Sequence, residues 1–449
     1  MQFRIHAKNN EGTHAIFIYD NETSLFHKEG EEYVVTNPQY YKPFNQQVSV
    51  DEPGIKSSDV KTLKISLGLS CNYECTYCSQ RFVPHGDSTT QHDINEFVKT
   101  LTNGLTSVPE RIEFWGGEPL VYWKTLKPLA EKLRHIYPNA LFSMVTNGSL
   151  LDSEKNEWLD NMNFLIGFSH DGPGYHVRGL DPIQDPEKRE AIMDLLRRLA
   201  PKNRISVNAM MHRDNSSRAE IQKWHEKHFG EGVRIGEGAF VDPYDEGGIQ
   251  SMLRDRSEHI HYRQQAYHEI RTNQVWAFEL AVRKIKEFVN SVQTHRPASN
   301  LGQKCGMDKT DSIAVDMKGN ILTCQNVSSA AISPNGKSHN IGHISDMKNV
   351  KLNTSTHWSK RPDCLKCPVL QLCKGACMFL EGDLWKAACD GAYSDNIPFL
   401  AAGVEALTGF MPYYIDGDFR EERKDIFGQV DGIPVEKKKK IIPIQPIKV

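Results

Sequence analysis

The sequence lacks the features of membrane, secreted and nucleic-acid-binding proteins. It has no run of about eighteen apolar residues that could span a bilayer, and the opening residues MQFRIHAKNNEG contain no apolar signal segment. There are 54 lysines and arginines against 57 aspartates and glutamates, so the net charge of −3 gives no attraction to nucleic acid or to an anionic membrane. We therefore expect a cytoplasmic protein that binds neither.

Internal repeats and low-complexity tracts are also missing, and 449 residues suffice for two or three domains. The chain does contain ten cysteines. In a reducing compartment, cysteines are more often metal ligands or catalytic thiols than disulfide partners. Their spacing divides them into a group of three and a group of seven, which are Cys71, Cys75 and Cys78, and Cys305, Cys324, Cys364, Cys367, Cys373, Cys377 and Cys389.

Short apolar strands alternate with amphipathic helices in residues 61–245, which predicts an α/β fold with parallel βαβ units. The predicted strands are LKISLGL, RIEFWGG, LFSMVTN, FLIGFSHD, ISVNAMM and VRIGEGAF. Between them lie helical patterns such as TLKPLAEKLRHIY and EAIMDLLRRLA. Six such units would form a partial (β/α)6 barrel that is open rather than closed.

The rest of the chain divides into four segments. Residues 1–60 contain the β-type runs FRIHA, HAIFIYD and EYVVT, which predict a strand-rich extension. Residues 246–300 form a helical linker, in which we expect one long helix from about Arg263 to Val292. A cysteine-rich domain follows at residues 301–395. The tail, residues 396–449, combines the apolar FLAAGVEALTGFMPYYI with the basic run EKKKK.

The first three cysteines follow the first predicted barrel strand at spacings of four and three residues. Three thiolates on one loop suit an iron–sulfur cube, because thiolates are the ligands that such clusters prefer. A zinc site would need a fourth ligand, for which His85 is the nearby candidate. Inert buried cysteines are a further alternative, although they rarely gather on a polar loop.

This order of cysteines resembles the radical S-adenosylmethionine (SAM) superfamily, and with the later cysteines the resemblance covers about residues 61–395. It implies a four-iron four-sulfur cluster on Cys71, Cys75 and Cys78, with SAM bound to the open iron. The aromatic residue before the third cysteine, Tyr77, would lie near the adenine.

Three later segments extend the resemblance. In the family, a GGEP segment contacts the SAM ammonium, which implies this role for Gly116, Gly117 and Glu118. The segments VTNG and FSHDGP are similar to segments of the peptide-modifying branch, and they imply SAM contacts for Thr146, Asn147 and Ser169. Taken singly, a Gly-Gly pair is an ordinary turn and polar residues at strand ends are ordinary caps. His176 and Arg178 loosely follow a family pattern and are assigned no role.

The seven later cysteines resemble the SPASM domain, which carries two auxiliary four-iron four-sulfur clusters. By this resemblance, Cys305, Cys324 and Cys377 bind the auxiliary cluster nearer the barrel, and the outer cluster takes Cys364, Cys367, Cys373 and Cys389. Some relatives have an eighth cysteine before the first of the seven, but the segment HRPASNLGQKC offers none. Zinc binding by the C-x2-C pair is the alternative.

The resemblance implies that SAM is cleaved reductively to a 5′-deoxyadenosyl radical, which abstracts hydrogen from a peptide or protein substrate. Cross-linking or oxidation of side chains would follow, with electrons from a flavodoxin- or ferredoxin-type donor. Gln325 stands after Cys324 where sulfatase-maturating relatives have an aspartate base, which disfavours that reaction. Residues 1–60 are too strand-rich for a winged-helix leader-binding module. The sequence identifies no catalytic acid or base.

Two other functions remain open. A small-molecule dehydrogenase or epimerase acting on a sugar or cyclitol would use the same radical chemistry. A cluster protein for electron transfer or redox sensing would use the cysteines alone, but it would have no use for the GGEP segment.

Overall fold

A computed structural model of the chain describes residues 1–31, 54–87, 89–275 and 277–428. The predicted strand EYVVT and the basic run EKKKK both lie wholly outside the described residues. Among the helices of the described ranges, none is both long enough and apolar enough to cross a membrane.

The predicted α/β fold with consecutive parallel strands is confirmed. Each of the six strands pairs in parallel with the next one along the chain, and the sheet remains open. The strands are β4 (Thr62–Ser66), β5 (Arg111–Trp115), β6 (Leu141–Thr146), β7 (Phe164–Ser169), β8 (Ile205–Asn208) and β9 (Ile235–Glu237).

Five helices cover one face of this sheet. Alternate strand residues such as Leu63, Ile65, Ile112 and Phe114 are completely buried with the apolar faces of the helices. The residues between them are only half-buried, so the other face of the sheet borders a cavity. The helices are α1 (Ile94–Gly104), α2 (Trp123–Ile136), α3 (Ser153–Asn161), α4 (Pro186–Leu199) and α5 (Arg218–Phe229).

The cysteine-rich region extends the same sheet. Strand β10 (Ser312–Asp316) pairs in parallel with β4, and β11 (Asn320–Leu322) and β12 (Asn340–His343) continue antiparallel, giving nine strands in all. This pairing places the region that contains Cys305 and Cys324 beside the strand that precedes the first three cysteines.

The prediction of one long helix in the linker is wrong. After the short α6 (Glu246–Gln250), the structure has α7 (Arg256–Arg271) and α8 (Glu279–Thr294). Asn273 adopts a left-handed conformation with φ of 57°, which a continuing α-helix does not allow. The turn lets both helices pack against α11 (Gly382–Thr408).

The two ends of the described chain meet in a second, four-stranded antiparallel sheet. Its order is β13 (Met411–Asp416), β1 (Gln2–Lys8), β2 (His14–Asp20) and β3 (Phe26–Lys28). Strands β1 and β2 lie at the runs FRIHA and HAIFIYD, and β13 lies in the apolar tail segment. After the short helices α9 (Pro362–Leu365) and α10 (Leu370–Cys373), helix α11 runs across the boundary expected at residue 395, so the five-segment division stays a prediction.

Candidate active site and cluster sites

The cysteine loop, residues 67–82, leaves the carboxyl end of β4 without forming a helix or strand. Backbone hydrogen bonds connect the cysteine loop to the loop that follows β5. The N–H of Gly117 donates to the carbonyl of Gly68 at 3.0 Å, and the N–H of Glu118 donates to the carbonyl of Ser70 at 3.0 Å. The two segments that the sequence linked to SAM therefore lie side by side at one edge of the sheet.

The glycines of the GGEP segment are required by this contact between loops. A β-carbon at residue 117 would lie 2.4 Å from the carbonyl oxygens of both Leu69 and Ser70. A β-carbon at Gly116 would lie 2.9 Å from the carbonyl oxygen of Gly68. The absence of side chains lets the two backbones touch, which is the close approach that glycine permits.

Glu118 organises the ends of two neighbouring strands. Its side chain is buried, and Oε1 accepts hydrogen bonds from the N–H of Leu120 at 3.0 Å and the hydroxyl of Thr146 at 2.7 Å. Its Oε2 accepts from the N–H of Asn147 at 2.7 Å. Burial raises the pKa of Glu118, and the hydrogen bonds oppose that shift. Three residues predicted to contact SAM thus form one hydrogen-bonded group.

Asn72 connects this group to the cysteine loop. Asn147 Nδ2 donates to Asn72 Oδ1 at 2.9 Å, and Asn72 Nδ2 donates to Ser149 Oγ at 2.7 Å. The hydroxyl of Ser149 in turn donates to Asn147 Oδ1 at 2.7 Å. Asn72 is not predictable from the sequence, because an asparagine between two cysteines gives no signal of its partners.

A second buried group lies on the other side of the cysteine loop. Arg178 Nη1 donates to the hydroxyl oxygen of Tyr77 at 3.0 Å and to Asp171 Oδ1 at 3.2 Å, and the Tyr77 hydroxyl donates to Asp171 Oδ2. Burial raises the pKa of Cys75 to about 11, and the positive charge of Arg178 opposes this shift. Arg178, for which the sequence predicts no role, is therefore the cationic partner of Tyr77 and a near neighbour of the cysteine loop.

The half-buried face of the sheet, called here the inner face, carries polar side chains. Ser169 ends β7 on this face. Lys64 Nζ lies 3.3 Å from Glu113 Oε2, which also accepts a hydrogen bond from Trp115 Nε1 at 2.9 Å. Glu113 and Trp115 line a cavity of about 330 Å³. Lys64 also acts electrostatically on Cys324, so the inner face and an auxiliary thiol are neighbours.

The cysteines divide into three sets, within each of which the negative charge of one thiolate raises the pKa of another. The sets are Cys71, Cys75 and Cys78; Cys305, Cys324 and Cys377; and Cys364, Cys367, Cys373 and Cys389. The last set lines one small cavity. Across the described part of the chain, no three Cys, His, Asp or Glu side chains are arranged to bind a single metal ion. A four-iron cube separates its thiolates more widely, because each binds a different iron.

The backbone around the thiols suits negatively charged sulfur. Six of the ten sulfurs accept a hydrogen bond from the N–H two residues later, and N–H donors of this kind stabilise cluster thiolates. The distance from the backbone nitrogen to the sulfur is 3.4 Å for Tyr73 and Cys71, 3.4 Å for Gln80 and Cys78, and 3.2 Å for Asn326 and Cys324. The other three pairs are Met307 to Cys305, Val369 to Cys367 and Phe379 to Cys377.

A cavity of about 1030 Å³, called here the large cavity, lies between α8 and the auxiliary thiols. Cys305, Cys324 and Cys377 line it, together with residues 239–244 after β9. Gln325 also lines it, and its side-chain Oε1 is buried with no hydrogen-bond partner among the described residues. The large cavity therefore has room and an unused acceptor for a ligand beside the three thiols.

Comparison with known proteins gives one family match and several related sequences. Residues 65–227 match the family model of the Radical SAM superfamily. The chain is 26% identical over 175 residues to the radical SAM cyclopropyl synthase TigE of Paramaledivibacter caminithermalis, covering 34% of this chain and 36% of that protein. It is 29% identical over 114 residues to a cysteine-type anaerobic sulfatase-maturating enzyme of Clostridium perfringens, covering 23% of this chain and 30% of that enzyme. The chain thus matches about a third of the length of these curated relatives.

The fold similarity extends further than the sequence similarity. The solved structure of native anSMEcpe with bound AdoMet and the Kp18Cys peptide aligns with a TM-score of 0.53 at 19% identity. The alignment covers 77% of this chain and 99% of that chain. At this identity the likeness concerns the fold.

Proposed function

We propose that this chain, which belongs to the radical SAM superfamily through residues 65–227, is an oxidoreductase that modifies a peptide or protein. It would cleave SAM reductively and abstract hydrogen from the substrate, and a side-chain cross-link or an oxidised side chain would result. We assign it three four-iron four-sulfur clusters, SAM, and a flavodoxin- or ferredoxin-type electron donor.

The proposal depends on one observation. Three groups of residues meet at the carboxyl edge of the parallel strands. The cysteine loop lies between the Glu118 group and the group formed by Tyr77, Asp171 and Arg178. Ligands of parallel α/β folds bind at this edge. Arg178 Nε is buried there without a hydrogen-bond partner among the described residues, which leaves a cationic donor for an anionic ligand.

Cys71, Cys75 and Cys78 would hold the SAM-binding cluster, which together with SAM supplies the 5′-deoxyadenosyl radical when bound. The chain itself contributes position and charge. The Glu118 group fixes the strand ends beside the loop, and Arg178 places a positive charge near Cys75. The auxiliary sets would hold two further clusters that take up electrons during substrate oxidation.

The substrate class is inferred from relatives. The anaerobic sulfatase-maturating enzyme is named for an activity on a protein, and the solved structure with the shared fold contains a bound peptide. The large cavity supplies space for a peptide segment beside the auxiliary thiols, and the unpartnered Oε1 of Gln325 could accept a hydrogen bond from it.

Anaerobic reconstitution with iron, sulfide, SAM and dithionite tests the radical chemistry. We expect 5′-deoxyadenosine from the wild type and none from Cys71→Ala, Cys75→Ala or Cys78→Ala, because those variants lose a ligand of the SAM-binding cluster. Cys389→Ala is the matched control and should retain SAM cleavage in the absence of substrate. Retained cleavage in the first three variants would refute the ligand assignment, and no cleavage by wild type with an intact cluster would favour an electron-transfer protein.

The substrate test requires a candidate peptide, for which a short open reading frame beside the gene would be the first to try. We expect incubation with the reconstituted enzyme to remove two hydrogen atoms from the peptide for each modification, as measured by mass spectrometry. Deuterium from a labelled peptide should appear in 5′-deoxyadenosine. Label transfer from a sugar or cyclitol, with none from peptides, would instead identify the small-molecule enzyme.

A further inference from the structure

The loop that follows β9, residues 238–245, closes one side of the site formed by Cys305, Cys324 and Cys377. The Tyr244 hydroxyl makes a hydrogen bond with the sulfur of Cys377 and lies in electrostatic range of Cys324. Asp242 is the charged side chain that acts most strongly on Cys377. One short loop therefore contacts the sulfur of Cys377 and acts electrostatically on that of Cys324.

The same loop also forms an ion pair with the residue next to the third cysteine of the set, Cys305. Asp242 Oδ2 lies 3.6 Å from Nζ of Lys304, the residue that precedes Cys305. The carboxylate of Asp242 therefore pairs with the side chain next to Cys305 and acts electrostatically on the sulfur of Cys377. Its side chain is only 14% exposed, and it lines the large cavity with all three thiols.

The chemistry of the surrounding side chains selects Asp242 as a donor to iron. The carboxylate of Asp242 offers two oxygen atoms that only accept, whereas the Tyr244 hydroxyl is already engaged with the sulfur of Cys377. The Gln325 amide is uncharged, and the Lys304 ammonium has no lone pair. Asp242 also acts electrostatically on Cys373, but the set that contains Cys373 already has four thiols.

We propose that Asp242 is the fourth protein ligand of the auxiliary cluster held by Cys305, Cys324 and Cys377. This inference rests on the proposed function, because it requires that the three thiolates bind a cluster. With four protein ligands the cluster has no iron free for a substrate thiolate, so its part in the reaction is to accept electrons. Replacing a thiolate by a less electron-donating ligand raises the reduction potential of such clusters.

The test isolates the auxiliary clusters in a background in which Cys71, Cys75 and Cys78 are all alanine. Iron and sulfide are counted after anaerobic reconstitution, and the clusters are examined by electron paramagnetic resonance and by redox titration. The variants are Asp242→Ala, Asp242→Cys and, as a matched control, Asp214→Asn, because Asp214 is exposed. Circular dichroism establishes that each variant is folded.

We expect Asp242→Ala to lose about one iron per chain and to give the signal of a three-iron cluster after mild oxidation, because one corner has lost its ligand. Asp242→Cys should retain the full iron content and shift one midpoint potential downward. Asp214→Asn should have the same iron content and the same midpoint potentials as the background protein in which Cys71, Cys75 and Cys78 are alanine.

Unchanged iron content and an unchanged spectrum in Asp242→Ala would overturn the inference while leaving the proposed function intact. An unchanged midpoint potential in Asp242→Cys would also overturn it. If the background variant bound no auxiliary cluster, both the inference and the auxiliary part of the proposed function would fail. SAM cleavage by Asp242→Ala with an intact first cluster is a separate measurement, and its loss would count against the assignment to an auxiliary site.

Discussion

Asp171 is fully buried beside the cysteine loop, and its charge is balanced by one side chain, Arg178. Asp171 Oδ1 also accepts a hydrogen bond from the N–H of Met210 at 3.0 Å, just beyond β8. A buried carboxylate that loses its cationic partner becomes an uncompensated charge, which is far more costly than the loss of an exposed ion pair. Single residues at this site therefore affect stability as well as chemistry.

We predict that Arg178→Met lowers the free energy of unfolding by about 3 kcal/mol, because it leaves Asp171 buried without a cation. Urea denaturation of the metal-free chain measures this. Arg197→Met is the matched control, since Arg197 pairs with Glu190 at the surface, and it should change the free energy by less than about 1 kcal/mol. Equal effects of the two substitutions would contradict the prediction.

At the scale of elements, the cysteine loop has no regular structure of its own and takes its shape from its neighbours. Backbone hydrogen bonds to the loop after β5 hold one end, and the N–H of Thr76 donates to the carbonyl of Val177 at 2.9 Å near the other. The spacing of the thiols in space therefore depends on contacts between loops that are distant in the sequence.

We predict that Gly117→Ala prevents assembly of the SAM-binding cluster while the auxiliary clusters still form, because the new β-carbon would push against two carbonyl oxygens of the cysteine loop. Iron content and 5′-deoxyadenosine formation measure the effect. Gly391→Ala in α11 is the control, since its β-carbon meets only the flexible end of Met252. Normal SAM cleavage by Gly117→Ala would show that the loops can separate at no functional cost.

At the scale of the whole molecule, a buried ion pair joins helix α5, which packs beside the parallel strands, to helix α11. Arg218 Nη2 of α5 donates to Asp395 Oδ1 of α11 at 2.6 Å, and the hydroxyl of Tyr262 in α7 donates to the same oxygen at 2.6 Å. Burial alone would raise the pKa of Asp395, but Arg218 and Lys284 outweigh it and hold the pKa below its ordinary value. The carboxylate of Asp395 thus connects three helices from different parts of the chain.

We predict that Asp395→Asn lowers the free energy of unfolding by about 3 kcal/mol at neutral pH, because it leaves Arg218 without its buried counter-ion. Since the pKa of Asp395 is lowered on folding, its stabilisation is present above the ordinary value of 3.8 and is lost as the pH falls through the lowered pKa. The difference between wild type and variant should therefore shrink in acid. Urea denaturation of the metal-free chain at several pH values tests this, with the exposed Asp418→Asn as control.

The candidate site could be predicted from the sequence where its signal was local. The Cys71, Cys75 and Cys78 spacing and the GGEP segment are each contained in fewer than about a dozen consecutive residues, and the structure places them side by side. Asn72, Asp171 and Arg178 were missed because their partners are from a few to about a hundred residues away. No periodic pattern marks such pairs, which form only when strands bring their loops together.

The sequence by itself determined the six parallel strands, because alternating apolar patterns are set by neighbouring residues. Tertiary structure alone decided that β10 pairs with β4, that β13 completes the sheet begun by β1, and that the linker turns at Asn273. These outcomes depend on burial between segments that lie from about a hundred to about four hundred residues apart in the sequence. A chain's local periodicity fixes which segments can be strands or helices, whereas only packing fixes which of them become neighbours.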